Sequence, residues 1–289
     1  MNSKLSRRDF LKLLKIAGGI TFASFAGTYY ATELEPLCVE VSQVQIPLGR
    51  LPKVFDGYRI LQISDIHIGG WMNHERLADV VELALAQKPD LVVMTGDYVI
   101  GRSWTSALDV AAQDFIDVIT PLTQNFKTIG VMGNHDHWTD PVRARDMLKR
   151  AGVLELKNDV YRLQKNGEVL YIAGLDDISE GEQRLDEVEA KLPYDANTIL
   201  LAHEPDYAEQ TAITGKFLLQ LSGHSHGGQV VIPFVGPPVL PRWGRRYPAG
   251  LYQLGNMYLY TNRGVGMTSP FVRFNCRPEI TVFTLNGPE

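Results

Sequence analysis

Cysteine is scarce in this chain of 289 residues: Cys38 and Cys276 are the only two, far apart and in no CxxC or zinc-finger spacing. That excludes a disulfide-stapled scaffold and a structural zinc site built on thiolates. The two stand as free thiols or, in an exported chain, as one bridge. Long apolar runs are also missing; the longest, from Ile16 to Ala31, is broken by Thr and Ser and falls short of the roughly 20 residues that span a bilayer. No internal repeat and no composition-biased linker divides the chain, so a single folded domain over residues 32–289 is expected. Basic charge is lacking outside the N-terminus. Residues 1–31 hold five Lys/Arg and one acid, which leaves 23 basic and 32 acidic residues in the remainder, a net −9. An acidic body excludes a nucleic-acid backbone as the main partner, because that affinity comes from Lys and Arg neutralising phosphates.

What is present is an ordinary globular composition, 45% hydrophobic and 21% charged, enough to bury a core. Residues 1–31 read as a targeting segment. Ser6-Arg7-Arg8-Asp9-Phe10-Leu11-Lys12 resembles a twin-arginine export signal, and the apolar run follows it. No A-x-A precedes Thr32, so the segment is expected to serve as a leader or to stay as an anchor. Either way the chain would be exported across, or anchored to, the cytoplasmic membrane, with the twin-arginine machinery as a partner.

Beyond it, short apolar runs alternate with helical patterns. Strands are expected at 38–46, 58–63, 91–94, 128–132, 160–163, 169–173, 198–201, 217–221, 229–232, 250–254, 257–261 and 279–285. Asn166-Gly167 between two of these is a hairpin signal. Helices are expected over 75–87, 107–119 with Pro121 stopping the second, 141–150 and 182–191. The alternation predicts βαβ units and a largely parallel sheet.

Five of these strands end in residues that bind metals or move protons: Asp65 with His67, Asp97, Asn134 with His135, His203, and His224 with His226. Ligands in open α/β sheets bind at that carboxyl edge. Residues i and i+2 of an extended chain share a face, so Asp65/His67 and His224/His226 would each present two ligands together. Carboxylate and amide oxygens mixed with imidazoles suit Mn²⁺, Fe or Zn²⁺ rather than Ca²⁺. Eight such residues are too many for one tetrahedral site. Two ions about 3.5–4 Å apart, sharing a carboxylate, would use them. His74 is expected at the surface, and His137 either lines the cleft or packs.

Asp65-x-His67, Gly96-Asp97, Gly133-Asn134-His135-Asp136, His203 and Gly223-His224-x-His226 together resemble the ordered motifs of the calcineurin-like metallophosphoesterases. The later stretches Gly227-Gly228-Gln229, Gly250-Leu251-Tyr252 and Asn262-Arg263-Gly264-Val265-Gly266 are similar to an exported or membrane-attached phosphodiesterase branch of that family. The resemblance implies a four-layer α/β/β/α sandwich for the catalytic domain. It implies a first metal on Asp65, His67, Asp97 and His226, and a second on Asp97, Asn134, His203 and His224, with Asp97 shared. It also implies hydrolysis of a P–O bond by hydroxide bridging the ions, with His135 as general acid. A phosphodiesterase is the leading expectation. The alternatives are a lipid pyrophosphohydrolase of the UDP-diacylglucosamine type and a non-catalytic envelope module that binds phosphorylated ligands. Gly96-Asp97 continues as Tyr98-Val99-Ile100, without the acid and Arg of the protein-phosphatase branch, which argues against a Ser/Thr protein phosphatase. Lastly, the apolar, proline-rich stretch Val231 to Trp243 should rim the cleft and could meet a membrane or a lipid tail. Arg242, Arg245 and Arg246 are the candidates for holding an anionic substrate group.

Overall fold

The computed structural model describes residues 7–288, so Lys4 and Ser6 of the export-signal reading lie outside the described residues. In chain order the strands are β1 (Glu40–Pro47), β2 (Arg59–Ile63), β3 (Leu91–Thr95), β4 (Thr128–Val131), β5 (Leu154–Glu155), β6 (Asp159–Lys165), β7 (Glu168–Gly174), β8 (Thr198–Leu201), β9 (Leu219–Ser222), β10 (Gly250–Leu254), β11 (Met257–Thr261) and β12 (Glu279–Asn286). The helices are α1 (Arg7–Tyr29), α2 (His74–Ala86), α3 (Ser106–Asn125), α4 (Asn134–Thr139), α5 (Pro141–Arg150), α6 (Leu185–Lys191) and α7 (Ala208–Ile213).

Strand order is β1-β12-β2-β3-β4-β5 in one six-stranded sheet and β10-β11-β9-β8-β7-β6 in the other. Side-chain alternation shows how they stack. Ile60, Leu91, Val93 and Ile129 of the first sheet meet Ile172, Ile199, Leu201 and Leu219 of the second in one core between the sheets. The alternate residues Leu61, Val92 and Met94 face outward onto Leu77 and Val80 of α2 and Phe115 and Ile119 of α3. On the far side, Ala173 and Leu200 pack against Val188 of α6 and Ala208 of α7. The result is the four-layer α/β/β/α sandwich that the resemblance implies. Each buried Val, Leu or Ile contributes roughly 1.5–3 kcal/mol. The central strands are apolar on both faces for this reason, with every residue of β3, β4, β8 and β9 buried.

Several local expectations need correction. The sheets are largely parallel, as expected, but each is mixed; in the first, β12 inserts antiparallel beside β2 and parallel to β1. Pro121 does not end α3, which runs on to Asn125. Thr120 donates its hydroxyl to the Ile116 carbonyl at 2.6 Å, and buried Leu122 holds the last turn against the core. Residues 229–232 form no strand; Val230 and Ile232 make isolated bridges to Phe274 and Gly236. The Asn166-Gly167 hairpin holds as expected, with Lys165 paired to Glu168 and both turn residues at positive φ. Cys38 is exposed and Cys276 buried, and both are free thiols.

Candidate metal centre

Strands β2, β3 and β4 of one sheet and β8 and β9 of the other end on a common edge, and the five motifs follow directly. Their side chains converge, but not by extended i, i+2 spacing. Asp65, His67, Asp97, His224 and His226 all have left-handed φ, between 51° and 71°. Such backbone costs about 1–2 kcal/mol per residue and survives only where its surroundings over-determine it. Here they do. Asp65 N donates to the Gly96 carbonyl at 3.0 Å, and His67 N to that of Asp97 at 3.0 Å. His224 N donates to the Asp65 carboxylate at 3.0 Å, which ties the second sheet to the first. Gln62 crosses the same way, from Thr95 Oγ1 at 2.8 Å to the Ser222 carbonyl at 2.9 Å.

Asp136 does more than close a polar turn, because Asn134 already begins α4. Its buried carboxylate accepts four backbone N–H groups: Gly133 and Asp97 at 2.9 Å, Tyr98 at 2.9 Å and Val99 at 3.1 Å. It thereby fixes the Asp97 loop. A Cβ at Gly133 would run into Asp97 Oδ1 and the Asp97 amide, so this approach requires glycine.

Around Asp97 the distances are short. Oδ2 lies 3.3 Å from His203 Nε2 and 3.6 Å from His67 Nε2, while Oδ1 accepts from His135 N at 2.8 Å. His67 Nε2 and His226 Nε2 are 3.0 Å apart, and Asp65 Oδ1 is 3.4 Å from the latter. Asn134 Oδ1 and His224 Nδ1 are 2.9 Å apart. The outer ring nitrogens are oriented from behind: His203 Nδ1 against the Thr95 carbonyl at 2.6 Å, His224 Nε2 against that of Arg242 at 2.7 Å. Such backing aims the free nitrogen inward, as in metal-binding histidines.

Burial pushes the His67 imidazole down to about 3 and that of His224 down to about 4, so both are neutral lone-pair donors. Burial and the neighbouring His67 hold His226 well below its ordinary range. Burial opposes ionisation of Asp97, but His203 and His135 outweigh it and keep the carboxylate well below its usual range. Burial pushes Asp65 up to about 7. Neutral imidazole nitrogens facing one another and a carboxylate at about 3 Å form a donor set that a cation between them would satisfy. Three overlapping groups bring candidate ligand atoms within 4.8 Å of one another: Asp65/His67/His226, His67/Asp97/His135 and Asp97/His203/His224. All eight strand-end residues lie in this cluster. The first group and the third share no residue; the second joins them through His67 and Asp97 and brings His135 within the same reach.

A cavity of about 780 Å³ opens over the cluster. Asp97, Asn134, His135, His224 and His226 form its floor, and Trp138, Ile178, Val239, Pro241, Trp243 and Pro270 are among its largely apolar walls. The His135 ring stands edge-on to Trp138, with centroids 4.8 Å apart. Of the three arginine candidates only Arg242 lines the cavity. Arg246 is paired with Glu209, and Arg245 reaches the Leu240 carbonyl at 3.5 Å, so neither points into it. His74 pairs with Asp114 away from the site, as expected of a surface histidine.

Two supporting residues, Asp176 and Arg273, had no sequence reading. His137 Nε2 meets Asp176 Oδ1 at 2.9 Å and so joins α4 to the loop bearing Ile178. The Asp176-Asp177 doublet after an apolar strand was its only signal. Arg273, fully buried, donates to the carbonyls of Cys276, Arg263, Gly264 and Gly266 at 2.7–3.0 Å and holds that loop against Asp65.

Residues 58–228 match the family model of the calcineurin-like phosphoesterases. The chain is 37% identical over 288 residues to an uncharacterized metallophosphoesterase, YkuE, of Bacillus subtilis (strain 168), covering 98% of this chain and 99% of that protein. It is 32% identical over 285 residues to the phosphodiesterase YaeI of Escherichia coli (strain K12), covering 97% and 99%. A metallophosphoesterase of Aquifex aeolicus (strain VF5) is 31% identical over 92% of this chain and 98% of its own. The matched span takes in more than half of the chain and all five strand-end motifs, from Asp65 to His226, and the chain belongs to the calcineurin-like phosphoesterase family.

Proposed function

We propose that this chain is a phosphodiesterase that works with two divalent ions. The carrying observation is Asp97 Oδ2, which faces His203 at 3.3 Å and His67 at 3.6 Å from opposite sides of the cluster. Asp65, His67 and His226 would complete one site, and Asn134, His203 and His224 the other. Ions held there would supply Lewis acidity toward the phosphoryl oxygens and lower the pKa of a water toward neutrality.

The remaining work falls to the chain. His135 sits at the cavity floor beside the shared carboxylate, and its backbone N–H is fixed on Asp97 Oδ1. It would hand its proton to the leaving oxygen as the P–O bond breaks, which spares that oxygen from departing as an anion. Trp138 fixes the ring edge-on. The apolar walls keep bulk water from the reacting bond, and Arg242 stands at the rim for a second anionic group. The complete ligand set together with His135 favours an enzyme over a binding module.

The test is hydrolysis of bis(4-nitrophenyl) phosphate and of 4-nitrophenyl phosphate by protein loaded with Mn²⁺, Fe²⁺ or Zn²⁺. Diester turnover with at least one ion, lost on chelation and restored by metal, is expected. Full turnover after exhaustive chelation, with no metal found by elemental analysis, would sink the reading. The residues Arg7-Arg8 and the run behind them support export across, or retention at, the cytoplasmic membrane through the twin-arginine machinery. An Arg7→Lys, Arg8→Lys chain should then stay in the cytoplasm; unchanged envelope recovery would refute that address.

A further inference from the structure

Among the described residues no helix is long and apolar enough to cross a membrane. Even so, every residue of α1 whose burial is described is exposed. A Cβ added at Gly18, Gly19 or Gly27 would meet no atom within 4 Å, and Phe25 is 71% exposed. Its first turns carry Arg7, Arg8, Lys12 and Lys15, all exposed. Water is a poor partner for such a helix, because its exposed apolar residues gain nothing there.

The root of α1 is fixed rigidly to the cavity wall. Arg273 N donates to the Ala31 carbonyl at 2.9 Å. The Glu35 carboxylate, 1% exposed, accepts from Asn275 N at 2.9 Å and Cys276 N at 2.5 Å. On its other edge the same 271–276 strip bonds the apolar loop: Val231 N donates to the Phe274 carbonyl at 2.8 Å, and Phe274 N to that of Gln229 at 2.9 Å. Root, strip and loop are therefore side by side, and each exposes large apolar residues. Leu34 does so on the root, Phe271 and Phe274 on the strip, and Phe234, Val235 and Val239 on the loop. Phe234 is fully exposed with φ at +66°, at the turn closed by the Val235 N to Ile232 carbonyl bond of 3.0 Å. A bulky aromatic in left-handed backbone at a loop tip is costly, and it packs on nothing in its own chain. Val239, the strip residue Val272 and Pro270 just before the strip also line the cavity, so this surface continues into the cavity mouth.

We propose that root, strip and loop tip form one docking face for an anionic lipid surface, with α1 lying along that surface rather than through it. The charge argues for lipid over a second copy of this chain. Exposed cations precede the apolar part of α1, where anionic headgroups would pair with them, whereas a second copy docked by the same face would set its own cations against them. The hydrogen-bonded root would keep the cavity mouth turned toward the bilayer.

The test is co-sedimentation of the full chain with vesicles of phosphatidylcholine alone and of equal parts phosphatidylcholine and phosphatidylglycerol. Phosphatidylglycerol vesicles should bind the chain and neutral ones bind it at least about tenfold more weakly. Phe234→Ser with Val235→Ser should weaken binding by about tenfold or more. These residues lie outside the cavity lining, so hydrolysis of bis(4-nitrophenyl) phosphate should not change. Equal binding to both vesicle types, or binding indifferent to the loop substitutions, would overturn the proposal. So would a concentration-dependent dimer in sedimentation velocity that the same substitutions abolish. Binding is read without turnover, so failure here and failure of the phosphodiesterase reading are separate results.

Discussion

Asp97 is placed so that one substitution reaches both halves of the cluster. Its Oδ2 faces His67 and His203, and its Oδ1 fixes the His135 amide. Asp97→Asn should therefore lower diester turnover and metal content more than substituting any other single ligand, while His74→Ala should do nothing measurable. Metal analysis and turnover on the same preparations check this, and a larger loss from His74→Ala would contradict the assignment. His135→Ala should cost about 10²–10⁴-fold in turnover, the usual worth of a general acid, with metal content nearly intact. The loss should shrink when the leaving group is 4-nitrophenolate, which needs no proton. Loss of a metal equivalent would instead make His135 a ligand, which its place near His67 and Asp97 also permits sterically. These residues are legible in the sequence because each follows an apolar run and sits beside glycine or another polar residue. Their backbone is not. Nothing in Asp65-x-His67 distinguishes an extended pair from two left-handed residues; that choice is made by hydrogen bonds with Gly96, Asp97 and His224, which are remote in sequence or in the other sheet. Asp136 is hidden for a related reason. A carboxylate that accepts four amides looks like a ligand until its partners are known.

At the scale of elements, the clamp between α4 and the loop after β7 rests on one charged pair. His137 is held above its ordinary range: burial works against protonation, but the bond to Asp176 outweighs it. Burial alone would raise the Asp176 carboxyl, yet His137, the Glu182 amide and Lys157 hold it well below its usual range. The signs follow. The His137 contribution is complete below the ordinary histidine value and fades as pH rises through its higher folded value. The Asp176 contribution is complete above the ordinary carboxylate value and fades as pH falls through its lower folded value. The clamp is thus fully formed from about pH 4 to about pH 6.5. His137→Gln should lower unfolding free energy by about 1–3 kcal/mol at pH 5.5 and by clearly less at pH 9, measured by urea denaturation. Equal losses at both pH values would show the pair to be an uncharged hydrogen bond. The helices themselves are readable from caps and periodicity: Asn73, Thr105 and Asp140 each accept first-turn amides. Pro121 misleads because its cost falls on one bond, whereas Leu122 beyond it is part of the core.

For the molecule as a whole, strand and helix order predicts α/β layering but not which strands share a sheet. Glu40 pairs with Glu279 and Thr281 with Gln62, contacts that link the two ends of the chain and carry no local signal. The same distance hides the role of residues 31–37, which lie where the expected targeting segment of 1–31 gives way to the domain and bond directly behind the candidate ligands. Glu35 holds the amides of Asn275 and Cys276, and Cys276 Sγ donates to the His226 carbonyl at 3.3 Å. A short chain of contacts thus runs from the root of α1 to a candidate ligand. Glu35→Ala would leave the buried Cys276 N–H without an acceptor, at roughly 1–3 kcal/mol, and would free the half-buried Asn275 N–H as well. Urea denaturation should show that loss, and His226 should relax with the strip, so metal should bind more weakly at equilibrium. Glu33→Ala, an exposed change two residues away, should alter neither quantity. Glu35→Gln keeps an acceptor and should recover part of both. If Glu35→Ala lowers stability but leaves metal affinity untouched, the root is a structural tie only. If it changes neither, the buried carboxylate is dispensable and the proposed coupling of the N-terminal segment to the site is wrong.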